Sequence, residues 1–133
     1  MDYIVLDTDV ASLAFRRRLP PQLAARLAGK VLCVTFVTVG EMTMWAELRH
    51  WGTRNRAGLA EWLGAMVRLP YDEQVARVWG SISAAAVERG RTRPTNDTWI
   101  AACCLVQGLP LATLNMKDFA DFAEHEGLVL LTS

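Results

Sequence analysis

The chain has 133 residues, a length typical of one domain. Its residues are 52% hydrophobic and 21% charged, enough to bury an ordinary globular core, and 14 basic residues balance 14 acidic ones. A net charge of zero excludes a chain-wide attraction to nucleic acid, so any basic surface must be local. The three cysteines match neither a disulfide framework nor a zinc spacing, which favours a reducing, cytoplasmic compartment. We expect no leader and no membrane partner, because no basic n-region or long apolar run occurs.

Short apolar runs alternate with helical patterns along the chain. The predicted strands are 2–7, 31–35, 68–69, 111–114 and 128–131. The predicted helices are 8–15, 22–28, 37–51, 55–67, 72–89, 96–107 and 118–124, and Asn96 is the expected cap of the sixth. This alternation predicts an α/β fold of three α/β/α layers, with a central parallel sheet of four to five strands. We expect residues 1–133 to form a single domain.

Four acidic residues occupy positions where a folded chain usually buries apolar side chains: Asp7, Glu41, Asp97 and Asp118. Asp7 follows the first predicted strand and Asp118 comes after the fourth, whereas Asp97 opens a helix that carries no other charge. Glu41 interrupts a helical stripe that we expect to pack, made of Val37, Met44, Trp45 and Leu48. Ligands bind beyond the carboxyl ends of parallel strands, so we expect the four acids to meet at that edge.

Carboxylates that lie close together repel one another, and burial removes the water that stabilises them, so their negative charge needs compensation. Mg²⁺ or Mn²⁺ supplies it, because each ion takes oxygen ligands and keeps several waters. Such an ion also favours attack of water on a phosphoryl group. The pattern therefore predicts metal-dependent phosphodiester hydrolysis. The alternative interpretation is that the individual acids are helix caps or solvated strand ends.

Several short motifs stand in a fixed order on this alternation of strands and helices. They are Asp7-Thr8, Glu41, Asn96-Asp97 followed by Trp99-Ile100-Ala101, and the run from Thr113 through Asn115 and Asp118 to Phe119. In this order they resemble the motifs of the PIN-domain ribonucleases, above all the VapC-type toxins of bacterial toxin–antitoxin systems. The resemblance spans essentially the whole chain and implies a PIN-like domain with Mg²⁺- or Mn²⁺-dependent endoribonuclease activity.

The resemblance also implies roles for individual residues. Asp7 and Asp97 match the aspartates that hold the metal. Glu41 matches a third acidic position, which serves as a ligand or as the base that orients the attacking water. The implied catalytic set is Asp7, Glu41, Asp97 and Asp118, with Thr8, Thr113 and Asn115 as supporting polar residues.

The same resemblance implies a target and partners. The protein would cut structured RNA, tRNA or rRNA, leave a 5′-phosphate and a 3′-hydroxyl, and arrest translation. A VapB-type antitoxin would neutralise it by placing an Arg or Lys in the acidic pocket. Trp51 and Trp62 lie in a segment expected to form a helical docking surface for that antitoxin. A homodimer is expected for the free protein, and a larger hetero-oligomer with the antitoxin.

Two clusters of arginines are predicted near the acids. An acidic site does not attract RNA by itself, so flanking arginines would have to contact the phosphates. The predicted RNA-binding residues are Arg16, Arg17, Arg18, Arg91 and Arg93. The alternative is that each cluster is a solvated basic loop.

Two other families remain open. The run Leu6-Asp7-Thr8-Asp9-Val10 is similar to the signature of haloacid-dehalogenase-like phosphatases, in which an aspartate nucleophile is followed by an aspartate acid. A receiver-like signalling domain also has an acidic pocket at its strand ends. Both families place a lysine at the site, and the chain has only Lys30 and Lys117, neither in a convincing context. A receiver would also leave Glu41 unexplained.

Overall fold

Five strands and seven helices alternate along residues 2–132, the part of the chain that the computed structural model describes. The strands are β1 (Tyr3–Leu6), β2 (Val31–Val34), β3 (Val67–Arg68), β4 (Leu111–Ala112) and β5 (Leu130–Leu131). The helices are α1 (Thr8–Phe15), α2 (Pro21–Leu27), α3 (Phe36–Leu48), α4 (Thr53–Ala65), α5 (Glu73–Glu88), α6 (Thr95–Gln107) and α7 (Met116–Glu126). None of these helices combines the length and hydropathy needed to traverse a bilayer.

The five strands form one parallel sheet in the order β3-β2-β1-β4-β5. β1 pairs with β2 through Val5 and Cys33, and with β4 through Val5 and Leu111. The first strand of the chain is therefore the central strand of the sheet. The later strands lie on both sides of β1, with β2 and β3 on one side and β4 and β5 on the other. Open α/β sheets bind ligands at the point where the strand order reverses in this way. Asp7 follows β1 directly and so lies at the middle of the carboxyl edge.

Helices cover both faces of this sheet. Successive side chains of a strand point to opposite faces, so Ile4 and Leu6 enter one core and Val5 enters the other. The first core is completed by α1 to α4, with Val10, Leu23, Met42, Leu59 and Leu63. The second is completed by α5 to α7, with Val75, Ile82, Ile100, Phe119 and Phe122. The three-layer α/β/α architecture with a parallel sheet is thus confirmed.

Helix α3 corrects one sequence-based expectation. Its buried residues are Val37, Thr38, Met42 and Ala46. The predicted packing stripe is wrong at two positions, because the side chains of Met44 and Leu48 are 49% and 68% exposed. Apolar residues occur on every face of this helix, so periodicity alone did not identify the face that packs. Glu41 consequently lies at the margin of the buried face rather than within it.

The entry into α6 corrects a second expectation. The helix begins at Thr95, its N-cap is Pro94, and no side chain caps it. Asn96 is therefore not the cap. Its side-chain amide lies 3.5 Å from Glu41 Oε2 instead, on the side of the carboxyl edge.

Candidate active site

A pocket of about 140 Å³ opens at the carboxyl edge of the sheet. Its wall is formed by Asp7, Thr8, Asp9, Glu41, Trp45, Asp97, Ile100, Asn115, Asp118 and Phe119. The four predicted acids come from four places in the fold, namely the end of β1 and helices α3, α6 and α7. The structure brings all four to one pocket, and no Lys, Arg or His is among the described residues that line it.

A larger groove of about 510 Å³ lies between α3 and α4, but its lining is mostly apolar. The one carboxylate in its wall, Glu47, is paired with Arg56. Size alone would favour this groove, whereas unpaired carboxylates concentrate in the smaller pocket. We therefore assign the chemistry to the acidic pocket.

Asp7 is the most buried member of the set, with 3% of its surface exposed. It is the N-cap of α1, and its Oδ1 accepts a hydrogen bond of 2.8 Å from the backbone N–H of Val10. Its Oδ2 accepts one of 2.6 Å from the hydroxyl of Thr113 at the end of β4. Each carboxylate oxygen can accept two hydrogen bonds, so Asp7 is held rigidly and keeps acceptor capacity for a ligand.

Glu41 is oriented by a hydroxyl network. The hydroxyl of Thr8 donates to Glu41 Oε1 over 2.8 Å, and the hydroxyl of Thr38 lies 3.0 Å from that of Thr8. Thr38 is fully buried, and the sequence analysis missed it. Its position three residues before Glu41 is a usable signal, because such residues share a face of a helix. Asn96 was expected as a helix cap and as part of the Asn96-Asp97 motif, but its contact with Glu41 was not predicted.

Asp118 is oriented by its predicted neighbour. The side-chain amide of Asn115 donates to Asp118 Oδ2 over 2.6 Å, and the backbone N–H of Asn115 donates to the Thr113 hydroxyl over 2.9 Å. Thr113 in turn donates to Asp7. One chain of contacts therefore links the first acid to the last, through Thr113 and Asn115.

The pocket raises the pKa values of two of its acids. Burial, which removes water from the carboxylate, raises the pKa of Asp7 to about 6 even though hydrogen bonds from Thr113 and Val10 oppose the change. Burial followed by the nearby charge of Asp118 raises the pKa of Asp97 to about 6. Burial is the main cause of both shifts, and the charges of neighbouring carboxylates add to it.

These features fit a hard divalent cation. Carboxylate and hydroxyl oxygens are the donors that Mg²⁺ and Mn²⁺ prefer, and the pocket gathers such donors without a competing cationic side chain. Of the pocket acids, Asp7 and Asp97 carry the raised pKa values that a bound cation would relieve.

A second group of possible ligands lies on α7. The ligand atoms of Asp121, Glu124 and His125 all lie within 4.8 Å of one another. Asp121 is already ion-paired with Arg93, however, and this arginine holds the pKa of Asp121 below its usual value despite the opposing effect of burial. A metal ion bound by these three residues would compete with Arg93 for Asp121, so we favour the acidic pocket as the metal site.

The predicted RNA-binding arginines are placed differently from one another. Arg16, Arg17 and Arg18 are exposed but follow the C-terminal end of α1, whose N-terminal end carries Asp7. Eight helical residues span about 12 Å, so this cluster lies roughly one helix length from Asp7, and its contact with RNA stays a prediction. Arg91 is exposed on the loop before α6, and its contact with RNA stays a prediction.

Arg93 requires a correction. Its side chain is only 4% exposed and is ion-paired with Asp121 and Glu126. A guanidinium held inside the protein in this way is not free to bind a phosphate. The predicted RNA contact of Arg93 is therefore wrong, because two carboxylates distant in sequence occupy its donors.

The two lysines do not support the rival families. Lys30 lies 3.4 Å from Asp2, at the amino end of β1 and so away from the pocket. Lys117 is exposed, and neither lysine is among the described residues that line the pocket. The phosphatase and the receiver both require a lysine beside the aspartate at the end of β1.

Comparison with known proteins identifies the family. A PIN domain model matches residues 4–125, and the chain therefore belongs to the PIN domain family. The chain is 32% identical over 118 residues to ribonuclease VapC2 of Haemophilus influenzae, covering 86% of this chain and 88% of that one. It is 28% identical over 118 residues to the tRNA(fMet)-specific endonuclease VapC of Shigella flexneri, with the same coverage of 86% and 88%.

Solved structures agree with this assignment. A member of the VapBC family of toxin–antitoxin systems, VapBC-5 of Mycobacterium tuberculosis, superposes with a TM-score of 0.73 at 29% identity, covering 100% of both chains. The predicted resemblance to the PIN-domain ribonucleases of the VapC type is confirmed.

Proposed function

We propose that the protein is the toxin of a type II toxin–antitoxin system and acts as a Mg²⁺- or Mn²⁺-dependent endoribonuclease. The observation that carries the proposal is the convergence of Asp7, Glu41, Asp97 and Asp118 on one pocket whose wall has no cationic side chain among the described residues. Relatives named as VapC ribonucleases support the reaction class.

In this proposal Asp7 and Asp97 hold the metal. When bound, the ion makes water easier to deprotonate and stabilises charge on the phosphoryl oxygens. Glu41 accepts the proton of the attacking water, since the Thr8 hydroxyl fixes the direction of its carboxylate. Asp118, oriented by Asn115, would provide a further carboxylate oxygen for holding the ion. Cleavage leaves a 5′-phosphate and a 3′-hydroxyl.

We further propose tRNA or rRNA as the target, with arrest of translation in the cytoplasm as the result. One relative is named for action on tRNA(fMet), which supports the tRNA class. An antitoxin of the VapB type would inhibit by placing an Arg or Lys into the acidic pocket. The free protein would be a homodimer, and the complex with the antitoxin would be a larger hetero-oligomer.

The test is cleavage of total RNA by the purified, antitoxin-free protein and by Asp7→Asn, with Mg²⁺, with Mn²⁺ and with EDTA. Mapping of the cut ends identifies the target, and circular dichroism checks the fold of the variant. We expect cleavage that requires metal and is lost in a folded Asp7→Asn. Cleavage that persists in EDTA would contradict the metal mechanism, and a folded wild type without activity would contradict the nuclease.

A further inference from the structure

A buried ion-pair cluster joins the loop before α6 to α7. Arg93 Nε donates to Asp121 Oδ2 over 2.7 Å, and Arg93 Nη1 lies 2.6 Å from Glu126 Oε1. Arg93 Nη2 donates to the backbone carbonyl of Asp121 over 3.3 Å, and the guanidinium carbon is 4.1 Å from the centre of the Phe122 ring. The Glu126 contact is a close ion pair rather than an aligned hydrogen bond, since neither atom has a hydrogen-bond partner among the described residues. Arg93 is therefore fixed to α7 from several directions.

A second arginine reinforces this attachment from the other end of the loop. Arg89, the C-cap of α5, places its Nη2 3.9 Å from Asp121 Oδ2 and 3.8 Å from Glu126 Oε2. Two arginines thus meet two carboxylates, and we call Arg89, Arg93, Asp121 and Glu126 the α7 clamp. Buried ion pairs contribute little net stability, because desolvation offsets the attraction between the charges. The cluster joins the loop before α6 to α7, so a positioning role is the better explanation.

The clamp lies directly next to two acids of the pocket. Arg93 precedes Pro94, whose carbonyl accepts hydrogen bonds from both the backbone N–H and the hydroxyl of Thr98 in the first turn of α6. Asp97 lies in that same turn. On α7, Asp118 is three residues before Asp121 and so lies on the same face of the helix. No side chain caps α6.

Repulsion between the two acids next to the clamp acts against it. Asp97 and Asp118 both line the acidic pocket and carry like charges. Like charges push the N-terminal ends of α6 and α7 apart whenever no cation lies between them. The opposite charges of the clamp pull the loop before α6 and the end of α5 towards α7, beyond Asp118 on that helix.

We propose that Arg93 is a positioning residue of the acidic pocket: by binding Asp121 and Glu126 it holds the first turn of α6 against α7 and keeps Asp97 and Asp118 on one metal site. This inference rests on the proposed metal-dependent function. It also explains why an arginine beside the pocket is buried rather than turned towards RNA.

The test measures binding of Mn²⁺ alone, by electron paramagnetic resonance of the free ion, to the full-length protein. Arg93→Met removes both ion pairs, and Arg93→Lys keeps the charge but loses the forked geometry. The matched control is Arg77→Met, which removes an exposed ion pair between Arg77 and Glu73 on α5. We expect Mn²⁺ affinity to fall about tenfold in Arg93→Met, a typical effect for residues that orient metal ligands, and less in Arg93→Lys. Arg77→Met should bind like wild type.

Circular dichroism establishes that each variant is folded at the temperature of the titration. If Arg93→Met does not fold, Glu126→Gln removes one of the two carboxylates that bind Arg93 and so loosens the clamp, and a severalfold loss of affinity is expected. A folded Arg93→Met or Glu126→Gln with the Mn²⁺ affinity of wild type would overturn the inference. A wild type that binds no Mn²⁺ would overturn the proposed function together with it, so the two failures are distinguishable.

Discussion

The hydroxyl of Thr8 has a position that suggests a specific contribution to activity. It donates to Glu41 and contacts Thr38, so it restricts the carboxylate to one direction. We expect Thr8→Val to lower the cleavage rate about tenfold with little change in fold, since valine has the same shape without the donor. Rates measured at saturating metal test this.

Thr43→Val is the control for that substitution. Thr43 lies on α3, the helix of Glu41, but its hydroxyl donates to the carbonyl of Val39 within the helix and lies at the exposed surface. Its removal should leave the rate unchanged. Equal rates for Thr8→Val and wild type would show that the hydroxyl network does not orient Glu41.

The raised pKa of Asp97 has a consequence for stability as well as for metal binding. Folding raises this pKa from 3.8 to about 6, so the folded state binds protons more tightly than the unfolded state. The resulting stability is fully present below pH 3.8 and is lost as the pH rises through about 6. Without metal, in EDTA, Asp97→Asn should therefore raise the free energy of unfolding at pH 8 by about 1–2 kcal/mol, a value reduced to allow for the partial exposure of Asp97. At pH 4 the increase should be much smaller.

Urea unfolding of both proteins at the two pH values measures this difference. Glu61→Gln, which changes an exposed carboxylate on α4, serves as the control and should change stability little at either pH. An Asp97→Asn protein that is less stable than wild type at pH 8 without metal would contradict the prediction.

At the scale of the element, α5 begins at a defined cap. The side chain of Asp72 accepts a hydrogen bond of 3.0 Å from the backbone N–H of Val75. Asp72→Ala should lower the free energy of unfolding by about 1 kcal/mol, the usual effect of losing an N-cap, and lower Tm by about 3–5 °C. Asp72→Asn keeps an acceptor and should stay close to wild type in the same thermal scan. A larger loss in Asn than in Ala would be inconsistent with capping.

Helices α3 and α6 show why elements are predicted better than the directions of their side chains. The sequence predicted both helices to within a few residues, because their apolar content and end signals are local. It misassigned the packed face of α3 and the cap of α6. The face of α3 depends on where α1 and α4 lie, and the freedom of Asn96 to reach Glu41 depends on the start of α6 at Thr95.

For the whole molecule, the proposed metal site predicts coupling between ligand and fold. Binding to the folded state alone stabilises it by about 2.7 kcal/mol when the free ion is at 100 times its Kd. Mn²⁺ should therefore raise the Tm of wild type in a concentration-dependent way. Asp7→Asn and Asp97→Asn should show little increase. A similar increase in these variants would place the bound ion outside the acidic pocket.

The order of acids along the chain was sufficient to predict the pocket. Asp7 and Asp118 follow parallel strands, and carboxyl ends of such strands share one edge, so their convergence follows from topology. Thr8, Thr113 and Asn115 were also expected near the acids and make hydrogen bonds there. The expectation for these three polar residues came from the resemblance to the PIN-domain ribonucleases, whereas that for Asp7 and Asp118 came from general rules of strand connection.

The sequence by itself therefore determined the fold class and the set of acids, whereas the central position of β1 came from the tertiary structure. Only the tertiary structure decided which arginine side chains are exposed and free to bind a ligand. Arg93 and Arg91 are close in sequence, yet one is buried by Asp121 and Glu126 while the other is exposed. The physical reason is that the partner of a charge comes from α7, a distant element, and no local pattern in the loop before α6 encodes that contact.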